Sequence, residues 1–164
     1  MCIKISASMP SRGFTLIELV VTVAIVAVLA SGILPMAKLA AQREKEKDLR
    51  ASLRHIREAI DAYKKVYDEG RIRKTPEQSG YPSSLEVLVQ GVVDEKDPKK
   101  RKIRFLRRIP ADPMSDDPRL SPAQTWGQRS YASEADEAQP GEDVYDIYSL
   151  STRKGLNGRP YKDW

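Results

Sequence analysis

Ser11-Arg12-Gly13-Phe14-Thr15-Leu16-Ile17-Glu18-Leu19-Val20-Val21 leads into a 21-residue run, Phe14 to Leu34, whose only charge is Glu18. At about 1.5 Å per residue, a helix of that length can cross a hydrocarbon layer of about 30 Å. From Met36 onward the 164-residue chain is dense in charge, and its mean hydropathy is −0.52. Composition alone therefore describes one apolar anchor carrying a polar body.

Glu18 is the odd residue of the anchor. A charged side chain at the centre of a spanning helix costs about 2.5–3.5 kcal/mol on insertion scales, and less near an end. A cut after Gly13 would give Phe14 a new α-amino group at the membrane edge. The Glu18 of a neighbouring copy could then pair with that amine, so a charge unfavourable in one chain becomes matched in a polymer. Solvation of Glu18 among headgroups, or its protonation, would answer the same cost. Two other readings of the segment stay open: an ordinary secretory signal cut after Val28-Leu29-Ala30, before Ser31, and a plain single-pass anchor.

Gly13-Phe14-Thr15-Leu16-Ile17-Glu18 resembles the class III signal of type IV prepilins and type II secretion pseudopilins. The short basic leader, the glycine before the cut, the phenylalanine after it and the glutamate all match. The resemblance implies cleavage after Gly13 and N-methylation of Phe14 by a prepilin peptidase, with Glu18 docking subunits. It also implies a bacterial inner-membrane protein with its leader inside and its head in the periplasm. Charge counting does not supply that orientation. Lys38, Arg43, Lys45, Lys47 and Arg50 outnumber Lys4 and Arg12 beside the membrane. Met9 is an alternative start. The only cysteine, Cys2, lies in the leader, so a trimmed chain holds no disulfide.

Pro35 closes the apolar run and favours a kink, because proline removes a helix hydrogen bond. Beyond it Leu49, Leu53, Ile56, Ile60, Tyr63 and Tyr67 step by threes and fours along one helical stripe that ends before Gly70. His55 lies beside the stripe and has no second metal ligand at a useful spacing. A short helix is expected over Pro82 to Val89, with a serine cap. Trp126 to Ala132 and Val144 to Leu150 read as strands, with Pro140-Gly141 as the turn between them, and Asp143 to Tyr148 as alternating. The expected fold is α+β and type IV pilin-like: a long N-terminal helix packed on a small antiparallel sheet. Its divisions are a leader at 1–13, a transmembrane and assembly helix at 14–34, an amphipathic continuation at 35–68 and a head at 69–164.

The resemblance extends into the head. Tyr81-Pro82, Arg108-Ile109-Pro110-Ala111-Asp112-Pro113, Trp126-Gly127 and Asp146-Ile147-Tyr148-Ser149-Leu150 look like the major pseudopilin of type II secretion. Two departures stand out. Met114 to Thr125 separates motifs that run together in that pseudopilin. Its calcium-binding C-terminal loop is here Ser151 to Trp164, where only Asn157 and Asp163 offer suitable oxygens among Arg153, Lys154, Arg159 and Lys162. No calcium is expected there.

No nucleophile elbow, phosphate loop, dinucleotide fingerprint or zinc spacing occurs, so no catalytic residue, metal ligand or cofactor is assigned. Asp112, Asp116 and Asp117 read as turn formers beside Pro113 and Pro118. The expected function is a subunit of a type II secretion-type pseudopilus. Its partners are prepilin peptidase, membrane lipid before assembly, copies of itself, other pseudopilins and an inner-membrane assembly platform. The alternatives are a type IV or competence pilin and a membrane-anchored periplasmic binding protein that never polymerises. Lys96 to Arg108 holds eight basic residues and one acid, while Glu134 to Asp146 holds six acids and no base. Subunit packing or plain solvation is the preferred reading of the basic run, with Ile103, Phe105, Leu106 and Ile109 anchoring it to the head and the acidic run as a protein partner within the head or on the next subunit. DNA contact, with Phe105 available for stacking, is the other.

Overall fold

The computed structural model describes residues 13–75, 78–134 and 136–164. The readings placed on Cys2, Lys4, Met9 and Arg12 lie outside them. One 53-residue helix, α1 (Leu16–Asp68), continues through position 35. Proline therefore does not end the helix, and the kink at Pro35 stands as a proposal resting on its missing hydrogen bond. The chain divides into two compact units, one ending at Ala41 and the other Gln42–Trp164.

In the first unit every described side chain from Phe14 to Ser31 is exposed. An 18-residue window of α1 has a mean hydropathy of 2.5 with none of it buried, long and apolar enough to cross a membrane.

In the second unit the helical stripe is core. Leu49, Leu53, Ile56, Ile60, Tyr63 and Tyr67 are all buried, and Ala59 joins them. They meet Leu85, Leu88, Leu106, Met114, Trp126, Val144, Ile147 and Tyr161. Burying one leucine or isoleucine side chain contributes about 1.5–3 kcal/mol, so this stripe supplies most of what holds helix to head. His55 is exposed.

Gly70 ends the helix as its position suggests. Its φ is +69°, and the N–H groups of Gly70 and Arg71 donate to Tyr67 O (2.9 Å) and Val66 O (3.1 Å). That pair of bonds is a Schellman stop, which needs a residue comfortable at positive φ. The second helix, α2 (Leu85–Gln90), begins three residues later than Pro82. Ser84 occupies its cap position but makes no side-chain cap bond, so packing of Leu85 and Leu88 holds it instead.

Two small antiparallel sheets follow. In the first, β1 (Val92–Val93) pairs with β2 (Lys102–Ile103), Val92 opposite Ile103. In the second, β3 (Trp126–Arg129) pairs with β4 (Asp146–Ser149), Trp126 opposite Ser149 and Gly127 opposite Tyr148. Gly127 is needed there, since a Cβ would lie 2.3 Å from the Tyr148 ring. The alternation expected from Asp143 does not hold throughout. Val144 and Ile147, three residues apart, are both buried, because the strand starts only at Asp146. The connection between β3 and β4 is a long loop containing Pro140-Gly141, closed where Ser130 N donates to Gln139 O at 2.9 Å. The architecture is pilin-like α+β.

Beyond the Schellman stop, Arg71 donates to Asp94 Oδ2 through Nη2 (2.6 Å) and Nε (3.1 Å), while Lys96 N donates to Oδ1 at 3.0 Å. The hydrogen bond from Arg71 above all, helped by the Lys96 N–H, holds the Asp94 carboxyl below its usual range against the cost of burial. A carboxyl depressed in the folded state binds fewer protons there than when unfolded. Its stabilisation is therefore complete above about pH 4 and is lost as pH falls through the folded value. Thermal melts from pH 6 to pH 2 should show a steeper acid decline in the native chain than in Asp94→Asn. Equal slopes would mean that this pair does not contribute.

Candidate processing and assembly site

Gly13, Phe14 and Thr15 precede α1, and Phe14 is 79% exposed. Thr15 caps the helix. Its Oγ1 accepts the Glu18 N–H at 3.2 Å, and its carbonyl accepts Leu19 N–H at 3.2 Å. Glu18 thus sits in the first turn, three residues past the cap, where a negative charge suits the positive end of the helix dipole. In the sequence Glu18 stood as a cost inside a membrane and as a candidate partner of the Phe14 amine, but not as part of a helix cap. The Thr-x-x-Glu spacing that signals a capping arrangement was there to be read and lowers that cost. The expected cut, the helix start and the only charge of the apolar run thus fall within six residues, Gly13 to Glu18.

Residues 8–34 match the family model described as the prokaryotic N-terminal methylation motif. The chain is prepilin-like. No curated protein and no solved structure matches it. A prepilin-like chain is a structural subunit rather than an enzyme. The motif implies processing by a prepilin peptidase, anchoring of the apolar helix in the inner membrane and pilus-like polymerisation.

In the head of the prepilin-like chain the short sequence motifs converge. The Trp126 Nε1–H donates to Pro110 O at 2.8 Å. Asp112 is buried; its N–H donates to Thr125 Oγ1 (2.9 Å), its Oδ1 accepts Met114 N–H (2.7 Å) and its Oδ2 accepts the Ser149 hydroxyl (2.6 Å). The insertion Met114 to Thr125 bridges the two motifs without parting them. Asp117 accepts from Arg119, and Asp116 lies 3.6 Å from Arg153. All three aspartates therefore serve turns and ion pairs, and no cluster of three or more His, Cys, Asp or Glu occurs among the described residues.

The C-terminal loop is tied to α1 by a residue that sequence reading passed over. Glu46 is 6% exposed, and its Oε1 accepts Leu156 N–H (2.8 Å), the Tyr161 hydroxyl (3.0 Å) and Gln42 Nε2–H (3.3 Å). Burial, with Glu46 close by, pushes the Tyr161 hydroxyl above its ordinary range, so it remains a donor. Glu46 lies three residues before Leu49 and extends the stripe, which was the available signal. The Arg50 guanidinium stacks 4.3 Å from the Trp164 ring, and Arg57 Nη2 donates to Trp164 O at 3.0 Å. The loop does not fit a calcium ion. Asn157 Oδ1 already accepts Arg159 N–H at 3.0 Å, and the other side chains around it are mostly cationic.

The basic segment is built on the core. Leu106 is buried, Phe105 packs on Tyr63 with ring centroids 5.4 Å apart, and both N–H groups donate to Leu88 O. Phe105 therefore anchors the segment to the head and is not free to stack on a base, which weakens the DNA alternative.

Proposed function

We propose that the chain is a pseudopilin of a type II secretion-type machine, cut after Gly13, N-methylated at Phe14 and polymerised through residues 14–34. In this reading 1–13 is the leader, 35–68 carries the helix into the head, and 69–164 lies in the periplasm. The supporting observation is the uncovered apolar surface of α1 with one carboxylate in its first turn. An apolar surface of that length needs lipid or other helices around it. In a bundle of copies the same surface packs against its own kind, and Glu18 meets the α-amine of a neighbour's Phe14. The working step is mechanical, the growth and collapse of a filament on an inner-membrane platform together with other pseudopilins. The convergence of Pro110, Asp112, Trp126 and Ser149 in one buried node favours the pseudopilin reading over a type IV or competence pilin.

The test is the N-terminal residue and intact mass of membrane-extracted protein, produced with and without a prepilin peptidase. N-methylated Phe14 appearing only with the peptidase is expected. A chain beginning at Ser31, or one left uncut, would remove the basis for polymerisation and favour a secreted or singly anchored binding protein.

A further inference from the structure

The charge of the basic segment splits into two groups. Three cations are spent locally: Lys96 Nζ donates to Glu69 O (2.6 Å), Lys100 pairs with Glu95 (2.5 Å) and Arg101 with Asp97 (2.6 Å). Lys99, Lys102, Arg104, Arg107 and Arg108 are exposed and have no ion pair among the described residues. Strand pairing and the two bonds to Leu88 O fix the backbone that carries them. A groove of ≈ 350 Å³ beside Arg107 and Arg108 is floored by Val89, Ile109 and Pro122.

The acidic segment splits in the same way. Asp143 accepts from Ser79, Ser130 and Tyr131, and Asp146 pairs with Arg57 at 2.8 Å. Glu134, Asp136, Glu137 and Glu142 remain exposed without an ion pair among the described residues, and Tyr131 beside them is 61% exposed. No ion pair joins the basic and acidic segments among the described residues, so of the two partners open to the acidic run the next subunit is the one left to test.

We propose that these are the two halves of one head-to-head contact: the Lys99–Arg108 face of one copy receives the Tyr131–Glu142 loop of the next. Five unmatched cations meet four unmatched acids, and an apolar groove rimmed by arginine meets an exposed tyrosine, the residue types enriched at interface centres. The two surfaces are different, so the association is heterologous and propagates along an open helical array. That is the symmetry a filament needs. Nucleic acid is the less suitable occupant, because the one aromatic ring of the basic segment is turned into the core. The contact gives the heads their own register and rests on the filament reading above.

The experiment uses the full chain with its peptidase, as an equal mixture of ¹⁴N- and ¹⁵N-labelled copies. A zero-length carbodiimide is applied, and filament yield is read alongside the cross-linked peptides. Mixed-isotope links from Lys99 or Lys102 to Glu134, Asp136, Glu137 or Glu142 are expected. Filament yield should fall by about tenfold or more in R107E/R108E and in E134K/D136K/E137K, and recover when the two sets are combined. Native filaments without such links, and with R107E/R108E assembling normally, would overturn the head contact and leave polymerisation standing. Mixed-isotope links in membranes that grow no filament would uphold the contact and sink the filament reading. Normal R107E/R108E filaments that have lost salt-sensitive binding of duplex DNA would assign the basic face to nucleic acid and overturn the proposal.

Discussion

Glu18→Ala is expected to leave the head folded and the chain in the membrane, yet to abolish filament formation. The lone carboxylate of the 14–34 segment opposes insertion, so its removal makes membrane residence easier. What is lost is the partner of the α-amine that the proposed cut creates at Phe14. Two unit charges about 4 Å apart interact by about 4 kcal/mol at an effective dielectric constant near 20, before the cost of desolvation. Even 2.7 kcal/mol surviving as net coupling would be about 100-fold in each addition step, enough to stop growth at ordinary subunit levels. Glu18→Gln separates charge from hydrogen bonding, and it too should fail to assemble if charge is what matters. Electron microscopy of sheared filaments, beside a blot of the membrane fraction, provides the readout. Normal filaments from Glu18→Ala would sink the docking mechanism while leaving the fold untouched.

Glu46→Ala should be the more damaging change to the head. The substitution strands the part-buried Leu156 N–H and the buried Tyr161 hydroxyl, both of which point at Oε1. An unsatisfied buried donor costs about 1–3 kcal/mol and a part-buried one less, so a loss of about 2–4 kcal/mol is expected. For a unit of this size that lowers the melting temperature by about 10 °C. Trypsin should then cut earlier at Arg153, Lys154, Arg159 or Lys162, because the loop carrying them has lost its tie to α1. Glu46→Gln keeps an acceptor and should recover most of the loss. A native melting temperature in Glu46→Ala would mean that packing of Tyr161 and Trp164 alone holds the loop.

The parts legible in the sequence were those written in short-range pattern. The Leu49-to-Tyr67 stripe follows from spacing, Gly70 from the need for positive φ at a helix stop, and β3 with β4 from residue type. Less legible were features decided by partners far along the chain. The spacing of Glu46 from Leu49 is the one local sign that it is buried, and two of its three donors, Leu156 and Tyr161, lie more than 100 positions away. Ser84 looked like a cap, but no donor falls within its reach. Val92-Val93 is too short to declare itself a strand, and it becomes one only when Lys102-Ile103 folds back on it. That Phe105 anchors the basic segment was legible from its apolar company, but its partner Tyr63, 42 positions earlier, was not. At the candidate site, Gly13, Phe14 and Glu18 were legible as a motif, and the Thr15 cap was legible by spacing but not weighed.

The Glu46–Tyr161 bond has a consequence for timing. The two residues are 115 positions apart, and the Gln42–Tyr161 bond spans 119. The helix can form as soon as it is made, but the last piece of its apolar stripe gains cover only when the segment around Tyr161 arrives. Contacts of such long range are slow to form, and the chain stays vulnerable until they close. A subunit already tethered in a bilayer would wait in that state with its stripe partly bare, close to other waiting copies. The closing loop thus acts as a checkpoint on folding, and chains lacking residues 156–164 should be degraded as if the whole head were missing.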